Sequence, residues 1–333
     1  MKNIVINEHY AQTDLKPSAM LEEYVHLLSE DVQKFLVKGQ LMPRDCPACA
    51  SKATQRNFEK LGFTYQECKD CGTLYVSPCP MDETIAAFFV EAPSKVFWRD
   101  KLSEASRQSR KARIIKPRLE WILDSTAEYV PQARHWVDVH TAQERYLEAM
   151  AQSHFVQKTL LAPYCQIKTP SAFNIVHGPL LKSALQATAD IITLFEVMDH
   201  AADPALLLDV VHKILKKGGL CFITCILSSG LDVKELGANA KNIYPPDRLN
   251  VLSAKGLQQL SATHGFECLE FSTPGILDVD IVASAIKADP DIAVSSFIRD
   301  LVTNASVDVR VNFQEFLQAN LLSSYGRVLL RKG

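Results

Sequence analysis

The chain has no run of about 18 apolar residues, the length that crosses a bilayer, and Met1-Lys-Asn-Ile-Val-Ile-Asn-Glu lacks the basic-then-apolar pattern of a secretory signal. A spanning helix is excluded, and the cytoplasm is the expected location. Charge of one sign is lacking as well. A net charge of -2 and a pI near 6.5 supply no global field to gather nucleic acid or an anionic membrane. Glycine is absent from Trp136 to Tyr146, which excludes a turn free of side chains there. Aspartate and glutamate are absent from Ala149 through Ala189. Internal repeats and low-complexity segments are also missing.

What is present is enough for two units, since 333 residues at 47% hydrophobic content accommodate one α/β domain and a smaller module. Nine cysteines would suggest disulfides in a short secreted chain, but here four fall in two Cys-x-x-Cys pairs and the others lie singly in apolar segments. A metal site with buried thiols elsewhere is the better reading. Cys46-Pro-Ala-Cys49 and Cys68-Lys-Asp-Cys71 are separated by 18 residues, a spacing that brings four thiolates into a tetrahedron on two tight knuckles. Four sulfur ligands leave no open position for substrate, so the zinc is expected to be structural. Four unrelated cysteines is the alternative, and Cys79 lies outside the spacing. Pro47, Gly72 and the strand-like Phe63-Thr-Tyr65 and Thr73-Leu-Tyr-Val76 fit a zinc ribbon.

Before the ribbon, apolar residues from Met20 to Leu36 recur at helical spacing, with Ser18 as N-cap and Gly39 as stop. This amphipathic helix either packs on its own chain or makes a dimer contact. After the ribbon, residues 82 to 124 read as helical, with eight basic residues between Arg99 and Arg118. They form a solvated face, or a site for phosphate or nucleic acid; few interleaved aromatics leave base stacking little support. From about residue 135 strands and helices alternate, the mark of a mainly parallel sheet covered on both faces. The strands are His135 to Val139, Phe173 to Val176, Ala189 to Phe195, Leu220 to Leu227, Phe266 to Phe271 and Gly326 to Leu330. Helices cover Arg145 to Gln152, Pro204 to Lys216, Ala254 to His264 and Val311 to Leu322.

Asp190-Ile-Ile-Thr-Leu-Phe-Glu-Val-Met-Asp-His200-Ala-Ala-Asp-Pro204, Leu215-Lys-Lys-Gly-Gly219 and His264-Gly-Phe266 resemble, in order and spacing, the later motifs of class I S-adenosylmethionine-dependent methyltransferases. A four-cysteine ribbon ahead of that fold is similar to the subset that includes nucleotide-sugar C-methyltransferases. The resemblance implies an α/β chain: a Rossmann-like methyltransferase domain with a mainly parallel sheet and an antiparallel last strand, preceded by a small zinc ribbon and helices. The segments are then 1-43 helical, 44-80 ribbon, 81-130 basic helical connector and 131-333 methyltransferase-like, with a helical insertion at about 277-322.

The resemblance also assigns roles. Asp138 marks the first strand, and the family's three loop glycines fall on His140, Ala142 and Glu144, where Cβ atoms occupy the space of the cofactor. Glu196 belongs to the same cofactor side. The carboxylate that usually ends the second strand and holds the ribose falls in the acid-free stretch. The loop that closes over substrate resembles Asn242 to Ser253, but Arg248 stands where the family has histidine, and Asp247 and Asn250 complete the substrate set. Arginine can clamp an anion but cannot act as a base. What remains for catalysis is Asp199 and His200, with Tyr244 as partner; His200 is a base oriented by Asp199, or it caps the helix starting near Asp203. Two readings follow. One is a methyltransferase acting on a nucleotide sugar or another small, phosphate-bearing metabolite; the other is a non-catalytic pseudoenzyme serving as a binding or scaffold module for a partner enzyme or a second copy of itself.

Overall fold

The computed structural model describes residues 2–5, 12–36, 40–139, 147–163, 172–178 and 185–333. His140, Ala142, Glu144 and Gly39 lie outside them. Strands in chain order are β1 (Leu41–Met42), β2 (Thr54–Lys60), β3 (Phe63–Cys68), β4 (Leu74–Val76), β5 (Cys79–Pro80), β6 (His135–Val139), β7 (Gln157–Ala162), β8 (Asn174–His177), β9 (Ala189–Phe195), β10 (Leu215–Ile226), β11 (Asn250–Val251), β12 (Phe266–Ser272) and β13 (Tyr325–Lys332).

Seven of these form the main sheet in the order β12-β13-β10-β9-β6-β7-β8. β8, β7, β6, β9 and β10 run parallel, and β13 pairs antiparallel with both β10 and β12, as the resemblance implies. The central strands read as unbroken apolar runs because helices cover both faces, and Ile191, Ile192 and Leu194 of β9 are fully buried. The order reverses between β6 and β9, where α/β sheets open a crevice at their carboxyl ends. Within β10, Leu215 pairs with Ala189 and regular pairing resumes at Leu220. Gly218 at φ 76 makes that detour, and a Cβ on Gly219 would lie 2.9 Å from the Lys216 carbonyl oxygen. Three helices, Asp278–Ala288, Ser296–Asn304 and Val307–Ala319, fill the insertion between β12 and β13.

The ribbon forms a second sheet, β11-β4-β3-β2, and its fourth strand comes from the methyltransferase-like region. Asn250 pairs with Tyr75 and Val251 with Leu74, so the boundary at residue 80 does not separate two cores. One apolar cluster runs from Tyr24 and Leu28 through Tyr65, Val76 and Phe88 to Leu194 and Leu252. The early helix, Ser18–Asp31 followed by a π-helical turn Val32–Leu36, contributes to it. Its buried Tyr24, Leu28, Val32 and Leu36 are spaced four apart, one stripe facing its own chain. Its N-cap is Pro17, with no side-chain cap, rather than Ser18. No helix among the described residues is long and apolar enough to cross a membrane.

Candidate functional site

The four ribbon cysteines converge. Cys46 Sγ lies 3.6 Å from Cys71 Sγ, Cys49 Sγ lies 3.6 Å from Cys68 Sγ, and all four sulfurs are within 4.8 Å of one another. A tetrahedron with metal–sulfur bonds of about 2.3 Å has edges of about 3.8 Å, close to the two 3.6 Å separations, so the set fits a structural metal.

A cavity of about 270 Å³ opens over the carboxyl ends of β9 and β10 and the start of β13, at Glu196, Ile226 and Tyr325. Its wall carries Lys16, Arg110, Arg113, Arg118, Lys241, Arg248 and Arg327 against Glu196, Asp247 and Asp278, with Tyr24, Trp98, Tyr244 and Tyr325 between them. Arg248 donates from Nη2 to Glu196 at 2.6 Å and lies 3.2 Å from Asp199, while Arg118 donates to the other Glu196 oxygen at 2.8 Å. Burial alone would raise Glu196, but Arg248 and Arg118 hold it down to about 2. Glu196 has φ 62, a conformation costly by about 1 kcal/mol or more for a residue with a Cβ, and its own N–H is tied to the Thr224 carbonyl at 2.9 Å. Asp199 is pushed up by burial and Glu196 against the pull of Arg248. Burial, with repulsion from Arg248 and Arg110, lowers Lys16 to about 8. Among the described residues Lys16 has no carboxylate partner; its ammonium lies 5.4 Å from the Trp98 ring.

Four of the residues expected from the sequence meet at this cavity: Glu196, Tyr244, Asp247 and Arg248. Asp247 accepts from Tyr24 and Lys95, a buried trio, and so is committed within the protein. Asp199 is fully buried and turned toward Arg248 and the Ile226 amide, and His200 lies beneath Phe89, ring centroids 4.6 Å apart, away from the cavity wall. Burial lowers His200 to about 3. Neither Asp199 nor His200, expected from the sequence as a base and its orienting carboxylate, lines the cavity. Nor does His200 cap the following helix: Asp203 does, accepting from the Ala205 and Leu206 amides at 3.0 Å each. Asn250 is also buried away from the cavity, donating to the carbonyls of Met198 and Ala201 at 2.9 and 2.8 Å. It fixes the turn after β9 and does not line the cavity.

Arg110 and Arg118 come from the basic stretch read in the sequence as a solvated face or a phosphate site, whereas Lys16 and Trp98 were not singled out as a site, because the wall is assembled from segments far apart in the chain. The basic connector divides its charges. Arg110 and Arg118 are buried at the cavity, while Arg99 is exposed beside Asp100 at 2.8 Å.

On the other half of the sheet edge, β6 holds Asp138 fully buried, accepting from Thr193 Oγ1 at 2.5 Å. β7 ends at Ala162, and Pro163 follows with no carboxylate. Among the described residues the end of β7 offers the ribose hydroxyls no acidic acceptor, and there it does not fit the usual pose of S-adenosylmethionine.

Residues 94–270 match the family model described as methyltransferase domain. No curated protein matches. Among solved structures, the plantazolicin methyltransferase BamL in complex with a triazolic desmethylPZN analog and SAH aligns at TM-score 0.44 and 11% identity, covering 74% of this chain and 94% of that one. An S-adenosylmethionine dependent methyltransferase from Mesorhizobium loti aligns at TM-score 0.39 and 14% identity, covering 66% and 100%. The [4+2]-cyclase SpnF aligns at 0.40 and 14%, covering 63% and 79%.

Proposed function

The chain belongs to the methyltransferase-domain family, and from that membership we propose that it binds a small anionic metabolite, such as a nucleotide sugar, in the arginine-lined cavity, with zinc in the ribbon and without the family's usual hold on S-adenosylmethionine. One observation carries this reading: Lys16, Arg110, Arg118 and Arg248 share the wall of one cavity, where burial first, and then repulsion from Arg248 and Arg110, lowers Lys16. A bound phosphate would relieve that repulsion, and its affinity would come from charge-assisted hydrogen bonds in a half-enclosed site.

The sign of the pH dependence follows. Below about 8 Lys16 is already protonated in the free protein, so affinity for an anion is flat there. As pH rises through 8 the proton is lost unless ligand holds it, and affinity falls by at most about tenfold per pH unit, with proton uptake on binding. Titration calorimetry with a nucleoside diphosphate sugar in buffers of different ionisation heat measures both. Micromolar binding that Lys16→Ala weakens supports the reading; no heat at millimolar ligand sinks it.

The second reading is a non-catalytic member, and Arg248 favours it. The position that holds a histidine in the resembling enzymes carries a permanent cation clasped by Glu196 and Asp199. S-adenosylmethionine and S-adenosylhomocysteine titrated into the same protein decide between them. Micromolar cofactor affinity restores a methyltransferase, and its absence beside tight anion binding leaves a binding module.

A further inference from the structure

The backbone that carries Arg248 hangs from the ribbon. Tyr65 of β3 donates its hydroxyl to the Arg248 carbonyl at 2.8 Å. The Val76 amide and Arg44 Nη2 donate to the Leu249 carbonyl at 2.9 and 3.0 Å. Asn250 and Val251 pair with Tyr75 and Leu74. Ser253 Oγ donates to the Cys71 carbonyl at 2.5 Å and its amide to Thr73 Oγ1 at 3.2 Å. Ser228 Oγ, just past the end of β10, donates to the Gly72 carbonyl at 2.7 Å.

These attachments begin and end at the thiolate cluster. Cys68 is the last residue of β3, three positions beyond Tyr65, and Cys71 lies three positions before Leu74. The cluster therefore ties together the ends of the two strands that hold residues 248 to 253. The guanidinium of Arg248, meanwhile, is fixed by Glu196 and Asp199 at the end of the main sheet. Arg248 is the joint between the two sheets, its backbone set by the ribbon and its side chain by the cavity floor.

Resting on the anion-binding reading of the cavity, we infer that the ribbon is a metal-dependent positioning element for that floor, with Tyr65 the positioning residue, so that metal at Cys46, Cys49, Cys68 and Cys71 sets how tightly the cavity holds an anion. The four sulfurs fit a metal, and with it bound the ends of β3 and β4 form one rigid knuckle. Without it four thiol groups, three of them buried, crowd together with no central charge, the strand ends loosen, and Arg248 loses the backbone constraint that aims it. The ribbon needs no contact with the ligand for this effect; it shifts the population in which Arg248 and Glu196 stand in place.

The experiment uses the full chain and inorganic pyrophosphate as probe. Affinity is measured by calorimetry in protein loaded with zinc, stripped by chelator and reloaded, and hydrogen exchange is followed at the amides of residues 249 to 252. Stripping is expected to weaken pyrophosphate about tenfold, the ordinary size of coupling between linked sites, with recovery on reloading and faster exchange at 249 to 252. Tyr65→Phe keeps the buried ring and the zinc but removes the hydrogen bond to Arg248. It is expected to weaken pyrophosphate in the loaded state and to shrink the difference between loaded and stripped protein, a loss of coupling that a purely structural tyrosine would not produce. Unchanged affinity and unchanged exchange in stripped, folded protein overturn the inference. If stripping unfolds the chain, Tyr65→Phe decides: normal affinity and normal exchange in the zinc-loaded variant overturn it. If loaded wild type fails to bind pyrophosphate, the reading of the cavity falls, while the exchange data still decide whether the ribbon positions residues 249 to 252.

Discussion

Two halves of one sheet edge are built in opposite ways. Over the ends of β9, β10 and β13, Glu196 and Asp199 meet Arg118 of the helix Lys116–Tyr129 and Arg248 of the turn before β11 in a buried ion cluster, and the Glu196 backbone is held at positive φ. Over β7 the strand closes on Ala162 and Pro163, without a charge. Buried charge is retained only where partners compensate it, because desolvation costs several kcal/mol per ion. The density of compensated charge on the first half therefore marks a constrained region. Among the described residues, the strand ends of the second half carry no such cluster.

The comparison can be broken hardest at its charged end. Arg248→Ala leaves Asp199 buried beside Glu196 with its cation gone, and we expect a loss of about 3–5 kcal/mol of stability in chemical denaturation. A loss under 1 kcal/mol would mean the cluster is solvated and the contrast between the halves is superficial.

The uncharged end is tested by rebuilding it. His140→Gly, Ala142→Gly and Glu144→Gly together should raise S-adenosylmethionine affinity only slightly, whereas adding Pro163→Asp should contribute roughly 2–3 kcal/mol, or about a hundredfold, if a ribose acceptor is what this half lacks. Calorimetry of the two variants reads the difference. Full recovery with the glycines alone would place the whole defect in the loop.

Acid stability probes the buried layer under the charged half. Burial keeps His200 neutral down to about 3, while in the unfolded chain it takes up a proton near its ordinary 6.5. The unfolded state thus binds more protons between those values. Stability contributed by the neutral, buried ring is complete above pH 6.5 and is lost as pH falls through 3. Denaturation midpoints across that range should fall less steeply in His200→Phe, and an identical slope would show that the ring is hydrated. The smallest effect is expected at the exposed Arg99–Asp100 pair, where Arg99→Ala should change stability by less than about 0.5 kcal/mol and leave anion affinity intact. A clear loss of affinity there would return the basic face to consideration as a ligand site.

Much of the fold was legible from local patterns. The Cys-x-x-Cys pairs, the apolar run Ala189 to Phe195 and the Lys217-Gly-Gly turn each carry their signal within a few residues. β2 and β7 were not read as strands: β2, Thr54 to Lys60, is mostly polar, and Gln157-Lys158 begins β7 with exposed or half-buried polar side chains that mask its apolar end. The cavity was less legible still. Tyr24, Lys95 and Asp247 lie 71 and 152 residues from one another along the chain, and nothing in their neighbours announces that they will share a proton network. His200 shows the limit of motif reading. An Asp-His pair at a strand end has the composition of a base, but whether the ring faces a cavity or Phe89 is decided by packing that the pair itself does not encode.

The borrowed strand of the ribbon has a consequence for how the chain is made. β11 follows β4 by more than 170 residues, and Lys2 bridges to Glu270 of β12, so two of the earliest segments find their partners only after most of the chain has emerged. Until then β4 presents an open edge, a template for pairing with the wrong chain. Synthesis from the amino terminus thus leaves the metal knuckle complete in ligands but incomplete in its sheet, and the last quarter of the protein closes what the first quarter began.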